Sequence, residues 1–115
     1  MSAVEVWAGP FGDSYTERNP VTEERIERSA RLWSEIIAAT EPATLDPIRS
    51  VMEVGANVGV NLIAIQWLLR NAQLSAVEPN EKARGTLINT GVVDEDHAYS
   101  SIYNAVGTFD LIFTC

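Results

Sequence analysis

A short strand that stops at a glycine and passes at once into a helix is the feature that most constrains this fold. The run Ser50–Val54 is mostly apolar and β-prone, and it ends at Gly55, which indicates a buried parallel strand. Residues 58–70 then repeat apolar side chains with helical spacing, and Trp67 falls on the apolar stripe, so we expect it in the core. A strand, a glycine turn and a helix in this order begin a βαβ unit.

The same alternation continues to the end of the chain. Further strands are predicted at 73–78, 98–102 and 109–114, and a helix from Pro79 to about residue 90. Short strands that alternate with helices form a parallel sheet with right-handed crossovers. The predicted fold class is therefore α/β, a partial Rossmann-like doubly wound parallel sheet of about four strands.

The chain before this sheet is expected to supply a loop and one helix. Residues 1–19 mix aromatic residues with Gly and Pro without periodicity, which predicts an ordered N-terminal loop. A helix is predicted over residues 20–40, with Asn19 as its N-cap and Pro20 in the first helical position.

Composition excludes several classes of function. With 115 residues the chain is one domain at most. Sixteen acidic and eight basic residues give a net charge of −8, which disfavours nucleic acid as a partner and favours a small molecule. No apolar run of about 18 residues is present, so no membrane span is predicted. The single cysteine, Cys115, excludes an internal disulfide and a Cys-rich zinc site, predicts no metal, and fits a cytoplasmic setting.

The residues around the first glycine turn suit a ligand site. Gly55 lets the chain turn sharply and approach a ligand without a Cβ atom in the way, and Gly59 lets the helix start pack closely on the sheet. Free backbone N–H groups at the helix start are expected to form a polar surface. Glu53 places a carboxylate beside that surface, where it suits a cationic amine or an ordered water.

A second acid, Glu78, follows Gly55 by 23 positions, at the end of the second strand. An acid at about this spacing lies at the carboxyl end of the adjacent strand and can accept hydrogen bonds from ribose hydroxyls. A dinucleotide site fits poorly, because a pyrophosphate turn requires Gly-x-Gly-x-x-Gly and Glu53 would oppose the phosphates. An NAD-dependent oxidoreductase half-domain is therefore disfavoured, while a non-catalytic nucleoside-binding or assembly module stays an alternative.

The glycine turn and the two acids resemble motif I and the acid that follows it in class I S-adenosylmethionine-dependent methyltransferases. The matching residues are Glu53, Gly55, Asn57, Gly59, Asn61, Val77, Glu78, Pro79 and Asn80. Residues 109–114 resemble the strand that carries motif IV of these enzymes, and residues 7–19 are similar to the start of the pseudaminic acid biosynthesis-associated methylases. Asn57 departs from the glycine that most class I enzymes have.

This resemblance implies S-adenosylmethionine as cofactor and methyl transfer to a small-molecule acceptor, in the subfamily a sugar or nucleotide-sugar of surface-glycan synthesis. Asn104 stands where the family often has an acid facing adenine, although a plain turn residue is equally expected there. Tyr15 and Arg18 are candidates for the cofactor carboxylate, against simple packing and solvation. The cofactor-binding residues so predicted are Glu53, Gly55, Ala56, Asn57, Gly59, Asn61, Glu78, Pro79, Asn104, Tyr15 and Arg18.

The resemblance also implies a strand order of 3-2-1-4, with the last strand at an open edge. An apolar edge strand is a template for pairing, so we expect a homodimer through residues 109–115. The resemblance covers about the first half of a typical family member. Residues 1–115 are thus expected to be a single truncated domain that is inactive alone, and no catalytic residue is predicted.

Overall fold

The computed structural model of the chain describes residues 1–40 and 47–115 and places three helices before an α/β unit. The helices are α1 (Ala3–Ala8), α2 (Pro10–Arg18), α3 (Glu23–Thr40), α4 (Val60–Leu68) and α5 (Glu81–Asn89). The strands are β1 (Ser50–Val54), β2 (Gln73–Val77), β3 (Ala98–Tyr99) and β4 (Leu111–Phe113). Short 3₁₀ helices cover Glu95–His97 and Ile102–Asn104.

The four strands form one parallel sheet in the order β3-β2-β1-β4, which confirms the predicted fold class and strand order. β1 lies inside the sheet, where Met52 pairs with Ser75 of β2 on one side and with Ile112 of β4 on the other. The chain adds β2 and β3 to one side of β1 and then crosses to the opposite side for β4. Parallel sheets bind ligands outside the carboxyl ends of the strands at such a change of direction.

The core lies where α3, α4 and α5 cover the sheet. Leu62 and Ile65 of α4 are fully buried, and Trp33 of α3 packs on Phe113 of β4 with ring centroids 4.3 Å apart. Burying one such side chain stabilises the fold by about 1.5–3 kcal/mol. The prediction for Trp67 is wrong, because its side chain is 50% exposed. Two residues past Ile65, it points about 200° around the helix from that buried position.

The N-terminal segment is helical, so the predicted loop over residues 1–19 is wrong. Ser2 caps α1 with a capping box, in which its Oγ accepts the Glu5 N–H and its own N–H donates to the Glu5 carboxylate. Gly9 separates α1 from α2, and Pro10 takes the first position of α2, where its missing N–H costs nothing. Each helix is too short to show periodicity, so only the capping residues could have predicted them.

The third helix begins at Glu23, three residues later than predicted. Asn19 ends α2 as its C-cap instead of starting α3. Thr22 has the capping role, because its Oγ1 accepts the Arg25 N–H at 3.2 Å. The strand Ser50–Val54 has its predicted bounds, and the other predicted elements are present with shorter bounds. No helix in the described ranges is long and apolar enough to cross a membrane.

Candidate functional site

A cavity of about 760 Å³ opens at the carboxyl ends of β1 and β2. Its walls come from α1 and α2, from the glycine turn after β1, from the end of β2 and from the segment after β3. A volume of this size is typical of small-molecule sites, and the position is the one at which doubly wound sheets bind ligands.

The glycine turn forms one wall of this cavity and is fixed by hydrogen bonds to β2. Gly55 has φ +80°, where an L side chain is strained, and the N–H groups of Gly55 and Ala56 both donate to the Val77 carbonyl, at 2.8 and 3.1 Å. The Asn57 N–H donates to Glu78. The turn therefore uses these three N–H groups inside the protein, whereas the free donors were predicted for the helix start, which is Val60. Such a turn does not favour a phosphate.

Gly59 is structural and is not among the described residues that line the cavity. It has φ +91°, and a Cβ atom there would stand 2.3 Å from Leu87 Cδ1 and 3.6 Å from Val92 Cγ1. Close packing at the helix start was predicted correctly, but the partner is the side chain of Leu87 on α5 and not the sheet.

Glu78 is buried at the end of β2, and both of its carboxylate oxygens are held by backbone donors. Oε1 accepts the Asn57 N–H at 2.7 Å, and Oε2 accepts the Asn80 N–H at 2.8 Å. A carboxylate has about four acceptor positions, so two remain for a ligand. Because Glu78 lines the cavity, its fixed carboxylate can accept hydrogen bonds from a pair of hydroxyls.

Glu53 lines the same cavity from β1 and is only 2% exposed. Among residues 1–40 and 47–115, none gives its Oε2 atom a hydrogen bond. Burial raises the pKa of the Glu53 carboxyl to about 8; hydrogen bonding with Asn61 opposes this shift, and the Glu78 charge adds to it. A buried carboxyl with one oxygen that no described residue pairs favours a ligand that brings a donor or a positive charge.

Asn61 of α4 is oriented by Ser29 of α3. The Ser29 hydroxyl donates to Asn61 Oδ1 at 2.6 Å, which leaves the amide NH₂ for Glu53. Sequence analysis did not identify Ser29. The only sequence signal for Ser29 was its position on the apolar stripe of α3, four residues before Trp33.

The other predicted site residues divide into two groups. Tyr15 and Pro79 line the cavity, as do the Ala56 and Asn57 positions of the turn. Arg18 and Asn104 are exposed, and neither is among the described residues that line the cavity. Their roles stay predictions.

Arg25 lines the cavity although sequence analysis did not select it. Its guanidinium donates to the Pro20 carbonyl at 2.7 Å, which draws the side chain back along the start of α3.

Cys115 also lines the cavity, and burial together with the Glu53 charge raises the pKa of its thiol. A raised thiol pKa makes Cys115 a poor nucleophile. No cluster of side chains suited to a metal occurs in the described parts of the chain.

Asn80 connects the N-terminal helices to the site. As N-cap of α5 its Oδ1 accepts the Ala83 N–H at 2.9 Å, while its Nδ2 donates to the Trp7 carbonyl at 3.1 Å and to Asp13 Oδ1 at 2.8 Å. An asparagine before a helix predicts the cap alone. Its contacts with Trp7 and Asp13 span more than sixty residues of sequence and leave no local signal.

Comparison with known proteins identifies the fold. No protein-family model matches the chain, and no curated protein matches its sequence significantly. A structure of the plantazolicin methyltransferase BpumL in complex with S-adenosylhomocysteine matches with a TM-score of 0.66 and 19% identity, over 96% of this chain and 44% of that one. Magnesium protoporphyrin IX methyltransferase (ChlM) from Synechocystis PCC 6803, with bound S-adenosylhomocysteine, matches with a TM-score of 0.58 and 13% identity, over 96% and 55%.

The chain has the Rossmann-like methyltransferase fold. The same ChlM protein with bound S-adenosylmethionine matches with a TM-score of 0.56 and 12% identity. The chain spans about half the length of these methyltransferases. The likeness is one of fold, so the pseudaminic acid subfamily stays a prediction.

Proposed function

We propose that this chain forms the cofactor-binding part of an S-adenosylmethionine-dependent methyltransferase that acts on a small molecule. The observation that carries the proposal is the Glu78 carboxylate, which is buried, fixed by two backbone donors and open to the cavity. The methyltransferase fold, and the S-adenosylhomocysteine or S-adenosylmethionine in the matching structures, support the same conclusion.

The residues around the cavity suit this cofactor. Glu78 would accept the ribose hydroxyls, and Glu53, whose Oε2 lacks a hydrogen bond from any described residue, would pair with the ammonium group. Gly55 presents no Cβ atom to the ligand. Tyr15 and Arg25 line the cavity and join the predicted Arg18 as candidates for the carboxylate. The cofactor carries no phosphate, which agrees with a turn whose N–H groups are already bonded.

The part of the chain in the reaction would be to bind the cofactor and to orient it. When bound, the cofactor supplies a methyl group on a sulfonium, already activated for in-line attack by a nucleophilic oxygen, nitrogen or carbon. Glu53 and Glu78 would fix the two ends of the amino acid–ribose unit. The cavity wall formed by α1 and α2 would restrict the access of water to the cofactor. We assign no general base to the described residues.

The proposed acceptor is a sugar or nucleotide-sugar, as the resemblance of residues 7–19 implies. We expect the 115-residue chain to bind cofactor without transferring its methyl group, since the cavity described here is the cofactor side. Incubation with radiolabelled S-adenosylmethionine and a panel of nucleotide-sugars tests this, and a labelled sugar would contradict it.

We also propose that two copies associate through residues 109–115. β4 is an edge strand, and Ile112 at its centre is 60% exposed. An apolar edge strand presents unpaired backbone groups to a second chain.

Binding is tested by calorimetric titration with S-adenosylhomocysteine and with NAD. The proposal expects the first to bind and the second not to bind. A preference for NAD would replace the methyltransferase assignment by an oxidoreductase half-domain.

A further inference from the structure

Two residues hold both the Glu78 carboxylate and the N-terminal helices. The backbone N–H groups of Asn57 and Asn80 are the donors to Glu78. The side chains of the same two residues bind α2 and the end of α1. Asn57 Oδ1 accepts the Thr16 hydroxyl at 3.0 Å, and Asn80 Nδ2 donates to Asp13 and to the Trp7 carbonyl.

The helices α1 and α2, together called the N-terminal helical pair, form a wall of the cavity. Trp7 and Tyr15 line it from this side and contact each other edge to face, with ring centroids 5.2 Å apart. A ligand in the cavity would therefore touch both the helical pair and Glu78.

The helical pair is held by few apolar contacts. In the described structure α1 buries none of its residues and α2 buries only Gly12 and Thr16. The ion pair between Lys82 and Glu17 is half-exposed and contributes little. The polar contacts at Asn57 and Asn80 are therefore a large share of what holds the pair, and such an element opens easily.

We propose that the N-terminal helical pair closes on the occupied cavity, and that Asn57 and Asn80 are positioning residues that couple this closure to the ligand held by Glu78. The inference rests on the proposed function. A ligand that contacts the pair binds the closed state better than the open one, so it shifts the pair toward closure. Coupling is reciprocal, so a substitution that lowers the population of the closed state also weakens ligand binding.

The test combines hydrogen exchange with calorimetry on the full chain, using S-adenosylhomocysteine as the probe. Asp13→Ala removes one acceptor of Asn80, and Asp13 is not among the described residues that line the cavity. Thr16→Val removes the hydroxyl that binds Asn57 and keeps the side-chain volume. Asp13→Asn keeps an acceptor oxygen, and Thr86→Val makes the same change as Thr16→Val at an exposed site on α5, so both are controls.

We expect saturating S-adenosylhomocysteine to slow amide exchange across residues 3–18. Asp13→Ala and Thr16→Val should speed that exchange without ligand and weaken binding by about two- to tenfold, the range of one hydrogen bond. The two controls should match the wild-type chain. Ligand binding without slower exchange at 3–18, or wild-type affinity in both variants, would overturn this inference alone. A wild-type chain that binds no S-adenosylhomocysteine would overturn the proposed function as well.

Discussion

Gly12 lies so close to Asn80 that a Cβ atom on Gly12 would stand 2.8 Å from Asn80 Nδ2. The same Cβ atom would stand 1.8 Å from the Trp7 carbonyl oxygen, which is itself an acceptor of Asn80. Backbone cannot yield at that distance without moving α1 away from α2. The absence of a side chain at Gly12 thus lets the helical pair reach Asn80.

Replacing this glycine should destabilise the fold. We expect Gly12→Ala to lower the free energy of unfolding by about 1–3 kcal/mol, the usual cost of overpacking, as measured by urea denaturation. Gly85→Ala is the matched control, because a Cβ atom there meets no described atom within 4 Å inside α5. Gly85→Ala should raise the free energy of unfolding by about 0.5–1 kcal/mol. Equal stability of the Gly12→Ala and wild-type chains would contradict the packing described here.

Stability should depend on pH through Glu53. The pKa of this carboxyl is about 8 in the folded chain, above its ordinary value of 4.5. The folded state therefore keeps a proton that the unfolded state loses, so the stabilising contribution is complete below pH 4.5 and is lost as pH rises through about 8.

Glu53→Gln mimics the protonated carboxyl and removes this dependence. We expect the variant to match the wild-type chain near pH 5 and to be more stable near pH 9, by on the order of a few kcal/mol. Urea unfolding across this pH range measures the difference. Glu81→Gln, at an exposed site on α5, should leave the pH dependence of stability nearly unchanged. Parallel pH profiles for Glu53→Gln and wild type would rule out a buried proton on Glu53.

The parts of the fold that local sequence determines were predictable. The strand Ser50–Val54 ends at Gly55 because its apolar run ends there, and parallel register then brings Glu53 and Glu78 to one edge of the sheet. These relations need only the period of each element and the spacing between strands.

Contacts between distant segments were not predictable from one sequence. Thr16 with Asn57 and Asn80 with Asp13 depend on how α2 crosses the sheet edge, and no local pattern encodes that crossing. The hydrogen bonds that the turn N–H groups donate are of the same kind. Their main acceptor, the Val77 carbonyl, is on another strand.

Self-association should depend on the β4 edge. We expect light scattering at micromolar concentration to give the mass of a dimer for the wild-type chain. Ile112→Lys places a charge in the middle of the edge strand and should give a monomer. Trp67→Lys, at a similarly exposed apolar side chain on α4, should remain dimeric. A wild-type chain that is a stable monomer under these conditions would remove the proposed interface.

The role of Glu78 is measured by calorimetric titration of S-adenosylhomocysteine into the wild-type, Glu78→Ala and Glu81→Ala chains. Glu81→Ala makes the same substitution at an exposed site three residues later. Glu78→Gln keeps the side-chain size and is a second variant in case Glu78→Ala does not fold. Thermal unfolding shows whether each variant is folded. We predict that the wild-type and Glu81→Ala chains bind alike, and that Glu78→Ala weakens binding by about 1.5–3 kcal/mol, the scale of hydrogen bonds to a charged group. Undiminished binding by folded Glu78→Ala and Glu78→Gln chains would contradict a ribose site at Glu78.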